Sequence, residues 1–79
     1  MRKRGVSETP FPEGLLLYDP ETGKSFVLNE TAAFIWERAD SDPEDIARAL
    51  AAEYEVSFEE ALKDVREVIE RLREEGFLV

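Results

Sequence analysis

The chain has 79 residues, 43% of them hydrophobic, with 19 acidic against 10 basic side chains and a net charge of −9. That length makes one small domain over residues 1–79 with no deep internal cavity, since such a domain buries only roughly 60 to 65% of its surface. Cysteine and histidine are both missing, which removes disulfides, thiolate nucleophiles, the usual zinc sites and the commonest general base.

Three of the basic residues, Arg2, Lys3 and Arg4, sit at the start, and taking these three charges from the net −9 leaves −12 for the remainder. A field of that sign repels nucleic-acid phosphates and anionic lipid, and keeps a protein in solution. No apolar run reaches the length of a membrane span, and no signal-peptide core is present. The expectation is a cytoplasmic protein without a membrane partner and without a cofactor.

Met1 to Pro12 is polar, with Val6 as the candidate for a short first strand. Pro10 and Pro12 limit that strand, because each lacks an N–H and fixes φ. Gly14 to Tyr18 reads GLLLY, an apolar run bounded by turn residues, and predicts a strand covered on at least part of both faces. Asp19 to Gly23 reads as a hairpin loop, with Pro20 presetting a turn and Gly23 free to turn left-handed. Lys24 to Leu28 is the returning strand, with Phe26 and Leu28 on one face and Ser25 and Val27 on the other.

Asn29 then caps a helix directly, so strand runs into helix with almost no loop. This first helix is expected over Glu30 to Ala39, with Ala32, Ile35, Trp36 and Ala39 on its apolar face. Phe34 falls on the other side, either as a surface aromatic or as cover for a neighbouring chain. A second helix starts near Asp42, with Pro43 in its first turn and Ile46, Ala47, Leu50, Ala51 and Tyr54 as its stripe. A third opens at the capping box Ser57-Phe58-Glu59-Glu60 and carries Leu62, Val65, Ile69 and Leu72 on one face. Ala61 and Val68 widen that face, Gly76 ends the helix, and Phe77-Leu78-Val79 folds back as an apolar tail. The order is two or three strands followed by three helices, an α+β domain.

Little here supports catalysis. The acid pairs Glu59-Glu60 and Glu74-Glu75 point about 100° apart on a helix, so neither pair can address one substrate atom. No phosphate-binding glycine motif is present, and no serine has a histidine to activate it. The expectation is a protein that is not an enzyme. Three helices with a small sheet also make a winged helix-turn-helix, so a small DNA-binding regulator is the alternative. Its recognition helix would be poor, because Ser57 to Glu75 sets four basic residues against seven acidic ones.

The strand Lys24 to Leu28 offers more. If the hairpin strand covers one side, the other side presents unpaired backbone groups, and only Lys24 blunts that edge. An extended peptide can add there by β-augmentation. Ala61, Val68 and Leu72 of the third helix are candidates for the opposite wall, against the alternative that they all belong to the core. Lys24, Asp64 and Arg71 are charges at the rim that can tune association. A structural dimer through the same edge is a third possibility, so the state expected is a monomer or weak homodimer.

The segment LYDPETGKSFVLNETAAFIW, followed by DIARALAAEYEVSFEEALKDVREVIERLREEGFLV, resembles the PqqD family of RiPP recognition elements. The most specific stretch is Val27-Leu28-Asn29-Glu30-Thr31-Ala32-Ala33 with Ile35-Trp36. The resemblance spans nearly everything after Gly14, and the proline-containing N-terminus falls outside it. It implies a three-stranded antiparallel sheet followed by three helices, similar to a winged helix-turn-helix. It implies binding of the leader segment of a ribosomally made precursor peptide, which is then presented to a separate modifying enzyme or leader protease. In the family the leader lies beside the third strand, in a cleft with the third helix. Carried over, these walls are Lys24, Ser25, Phe26, Val27 and Leu28, and the groove side of Ser57 to Glu75. A short chain ending just after its third helix is more similar to the lasso-peptide members, which work beside a cysteine protease. The other candidate is PqqD itself, which serves a radical SAM enzyme in pyrroloquinoline quinone synthesis.

Overall fold

The computed structural model describes residues 1–79. Three strands form an antiparallel meander in the order β1-β2-β3: β1 Ser7–Phe11, β2 Gly14–Asp19 and β3 Lys24–Asn29. The central strand alternates. Leu15, Leu17 and Asp19 are buried, while Leu16 is half-covered and Tyr18 exposed on the far face. Val6 falls just outside β1 and is half-buried against the core instead. Pro10 sits within β1 opposite Leu15. β1 is an edge strand, so a missing N–H there breaks no inner ladder.

The β2–β3 hairpin closes as Gly23 N–H donates to the Asp19 carbonyl at 2.8 Å, with Gly23 at φ +77°. At the other end of this pair, Gly14 faces Asn29. An added Cβ on Gly14 would lie 1.9 Å from the Leu28 carbonyl oxygen, so only glycine lets the two backbones come this close.

Asn29 ends β3 and caps α1 Glu30–Glu37, its Oδ1 accepting the Ala32 N–H at 2.9 Å. The helix stops two residues short of Ala39. Arg38 N–H reaches back to Ile35 and Ala39 N–H to Trp36, which tightens the last turn. α2 Pro43–Tyr54 follows, with Pro43 at its first position and no side-chain bond from Asp42. It ends at Glu55 in a left-handed conformation. Ser57 then caps α3 Phe58–Glu74 by accepting the Glu60 N–H at 3.1 Å.

The core has two parts. Leu15, Leu17 and Leu28 of the sheet pack with Ala32, Trp36, Leu72, Phe77 and Leu78. Ile35, Ile46, Ala47, Leu50, Ala61 and Val65 join the three helices. Val68 and Ile69 touch both parts, so α3 runs through the whole interior. Its core line differs from the expected Leu62, Val65, Ile69 and Leu72. Ala61, Val65 and Leu72 are fully buried, whereas Leu62 and Ile69 are only half-buried. The helix is turned so that its small Ala61 is fully buried in the cluster that joins the three helices, where a leucine would hold them apart.

The end of α3 is a Schellman turn. Phe77 N–H donates to the Leu72 carbonyl at 2.8 Å and Gly76 N–H to Arg73 at 3.1 Å, with Gly76 at φ +84°. The tail then pairs with the start of the chain: Lys3 N–H donates to Phe77, Val79 N–H to Met1, and Arg2 bridges Leu78. Lys3 Nζ reaches Asp19 Oδ2 at 2.6 Å and Glu21 Oε1 at 3.0 Å. Asp19 is only 4% exposed, and its Oδ1 also accepts the Glu21 N–H. The Lys3 hydrogen bond is the main reason the Asp19 carboxyl titrates below its ordinary 3.8. The same bond, followed by Glu21, holds Lys3 above its ordinary 10.5.

Two outcomes follow from these contacts. Gly14→Ala should destabilise by about 1–3 kcal/mol, because the β2–β3 backbones must part. A thermal melt reads this as a fall of about 4–8 °C per kcal/mol. The Asp19–Lys3 pair acts at both ends of the pH scale. A lowered carboxyl pKa stabilises above 3.8, and that contribution is lost as pH falls through the lower folded value. A raised lysine pKa stabilises below 10.5, and that contribution is lost as pH rises through the higher folded value. Asp19→Asn should therefore lower denaturation midpoints at neutral pH, with the gap to the parent closing in acid below the folded-state pKa of Asp19. A gap that persists unchanged there would show the pair to be inert.

Candidate functional site

The sheet has two edges and they differ. β1 carries Pro10, which removes one donor from its edge. β3 contains no proline, and β2 occupies only one of its sides. Alternate residues of β3 therefore turn free N–H and C=O groups outward.

Beside that free edge runs a groove of about 440 Å³. Phe26, Val27, Leu28 and Asn29 of β3 form one wall. Val68, Leu72, Asp64, Glu67 and Arg71 of α3 form the other, spaced three and four residues apart along one face. Thr31, Ala32 and Ile35 of α1 close the end. The floor is buried carbon: Leu28, Ala32, Ile35 and Leu72 are core residues. The rim is charged and exposed at Asp64, Glu67 and Arg71. β3 and α3 run antiparallel across the groove. Lys24 Nζ lies 3.8 Å from Glu75 Oε1 at one end, and the Arg71 guanidinium sits 5.6 Å over the Phe26 ring one turn along.

Of the ten residues expected at a peptide site, seven line this groove: Phe26, Val27, Leu28, Asp64, Val68, Arg71 and Leu72. Val27 is 63% exposed. Lys24 and Ser25 lie on the strand but before the groove begins, exposed to solvent. Ala61 is a correction. It is fully buried between the helices and reaches no part of the groove, because α3 is rotated to seat it against α2.

Five lining residues escaped the sequence reading: Asn29, Thr31, Ala32, Ile35 and Glu67. Glu67 had a signal, lying three residues after Asp64 and four before Arg71 on the same helix face. The α1 residues had one too. A helix capped by the last residue of β3 must begin at the end of that strand's groove.

Phe34 does not face outward alone. Its ring meets Tyr54 edge-on at 5.7 Å, and the Arg38 guanidinium stacks 3.5 Å from its centre. Burial pushes the Tyr54 phenol above its ordinary 10.0, and its hydrogen bond to Glu30 adds to this. Tyr54, Lys3 and Asp19 are the groups with displaced pKa values, and none of them lines the groove. No three acidic side chains gather closely enough to hold a metal ion, and no helix is long and apolar enough to cross a membrane.

The basic residues do not stand free as a patch. Lys3 is held by Asp19 and Glu21, Arg2 lies 3.9 Å from Asp40, Arg66 faces Glu44 and Arg73 faces Glu70.

Comparison with known proteins finds the same fold. Two solved structures superpose over almost the whole chain. One is TbiB1 in complex with the TbiA(beta) leader peptide, at 25% identity and a TM-score of 0.85, covering 98% of this chain and 92% of the other. The second is a lasso peptide synthetase B1 complexed with the leader peptide, at 32% identity and a TM-score of 0.83, covering 96% and 92%. No curated protein matches the sequence. The family model for coenzyme PQQ synthesis protein D (PqqD) matches residues 14–78, leaving out β1. The chain belongs to the PqqD family.

Proposed function

We propose that this protein binds the leader segment of a ribosomally made precursor peptide, without catalysing a reaction itself. The leader adds as a fourth strand along β3 and lays alternate side chains into the groove against α3. The observation that carries this is the free edge of β3 opening onto an apolar floor. Two structural neighbours that hold leader peptides support it, and they favour the lasso-peptide pathway over PQQ synthesis. The chemistry then belongs to a separate leader protease or modifying enzyme, to which this chain delivers the peptide.

Magnitudes divide the work between backbone and groove. Each new ladder hydrogen bond is worth about 0.5–1.5 kcal/mol net. Fixing each guest residue costs about 1–2 kcal/mol of backbone entropy. Pairing alone therefore roughly cancels and supplies orientation. Burying one or two guest apolar side chains, at about 1.5–3 kcal/mol each, supplies the affinity. Val68, half-buried between both core parts, is placed to receive one.

DNA binding fits less well, since the third helix carries more acidic than basic residues and two of its four cations, Arg66 and Arg73, already have carboxylate partners. Fluorescence anisotropy separates the two. The probes are the leader peptides held in the two neighbouring structures, each labelled, and a labelled duplex, all at low and high salt. Peptide binding that changes little with salt is expected. Salt-steep duplex binding with no response to either leader would end the proposal.

The groove placement has its own test. Val68→Asp should weaken leader binding by at least about tenfold, since a carboxylate would face buried carbon. Val27→Pro should weaken it by removing one edge donor, or by bending the strand where that N–H is turned towards β2. Circular dichroism must show both variants folded. Unchanged affinity in folded variants would move the site elsewhere.

A further inference from the structure

The groove's two ends carry opposite charges, and both are unused. Asp64 has no ion-pair partner, and Arg71 touches only the face of Phe26. Other charges on or beside α3 are paired, Arg66 with Glu44, Arg73 with Glu70, and Glu75 with Lys24, while Lys63 and Glu67 have no ion-pair partner. Seven residues separate Asp64 from Arg71, two turns short by about 20°, so both stand on one line about 10 Å apart. Val68 lies between them on the groove side and presents carbon. Resting on the leader-binding proposal above, we infer that the groove selects a strand with a cation, an apolar residue and an anion at alternate positions. The cation meets Asp64, the apolar side chain meets Val68 and the anion meets Arg71.

Strand geometry sets the spacing. Same-face residues of a strand are about 7 Å apart, so positions i, i+2 and i+4 span about 14 Å. The excess over the helix line is about 4 Å, within reach of flexible Lys, Arg or Glu side chains leaning inward. A separation of i to i+2 is too short to keep an apolar residue between the charges. Glu67 lies on the same rim between them, three residues after Asp64 and four before Arg71, so the Asp64 half of the rim is acidic and Arg71 is its one cation. The contact between Arg71 and Phe26 holds the guanidinium towards β3, over the path of the guest strand. Charges in such an exposed rim contribute modestly each, so they choose register and partner more than they set affinity.

Panning short random peptides displayed on phage against the full chain tests this. The parent, Arg71→Glu and Asp64→Lys are used in parallel. Both positions are exposed, and circular dichroism checks each fold. Peptides that shift the Val27 and Asn29 amide signals in NMR are taken as groove binders. The parent should enrich cation-x-apolar-x-anion, or the reverse order, according to strand direction. Arg71→Glu should exchange the anion for a cation, and Asp64→Lys the cation for an anion. A peptide selected on the parent should lose about three- to tenfold in affinity on either reversal, and regain it when its own matching charge is reversed. Groove binders with equal affinity for all three proteins would overturn the charge pattern and leave leader binding standing. If no peptide moves the β3 amides, both fall together.

Discussion

One side-chain oxygen decides where the sheet stops and the helices start. Asn29 Oδ1 takes the Ala32 N–H, so the last residue of β3 is also the cap of α1. No loop intervenes to absorb a change of direction. α1 must leave from the end of β3, and its first turn must wall the end of whatever lies beside that strand. Trp36, two turns along, then falls into the sheet-side core with Leu17 and Leu28. Gly14 opposite Asn29 is the matching constraint on β2, since any side chain there would press on the Leu28 carbonyl. The junction is thus pinned from both strands of the hairpin.

The distance between β3 and α3 is set at the other end of the groove. The Schellman turn throws Phe77 back beneath the sheet, where its ring meets Phe26 edge-on at 6.0 Å. Phe77 is fully buried with Leu72. It acts as a spacer: α3 cannot close onto β3 without displacing it, and the sheet-side core holds it in place. The start of the chain locks the tail from outside, through the bonds from Lys3 and Val79 and the Lys3–Asp19 pair. A groove kept open by a buried aromatic spacer asks little rearrangement of a guest, which lowers the ordering cost of binding.

Much of this was legible before any coordinates. The apolar run Gly14 to Tyr18 marked β2, alternation set Phe26 and Leu28 on one face of β3, Ser57 announced α3, and Gly76 announced its end. The register of α3 was not legible. Leu62 and Ile69 look like core by hydrophobicity, yet the small Ala61 is the residue buried, because helix approach rewards small volume as well as greasiness. Pattern alone cannot see which face a neighbouring helix will choose. Pro10 in β1 was hard for the opposite reason. Propensity argues against a strand there, and only knowing that β1 is an edge removes the objection. The α1 wall of the groove was implicit in the Asn29 cap, but reading it needed the further step from a helix start to a surface.

The contrast between the two edges bears on why β3 was left open. An exposed strand edge invites pairing with any copy of the same chain. Here β1 is blunted by Pro10 and β3 is not, although proline or a bulge at Ser25 would serve as well. What marks β3 instead is the charged rim beside it, with Asp64, Glu67 and Arg71. Each copy carries a net −9, which opposes the approach of a second copy at any face. A guest strand that carries a cation meets no such barrier. A proline on β3 would refuse every strand alike, whereas charged side chains beside an open edge discriminate among strands by what they carry.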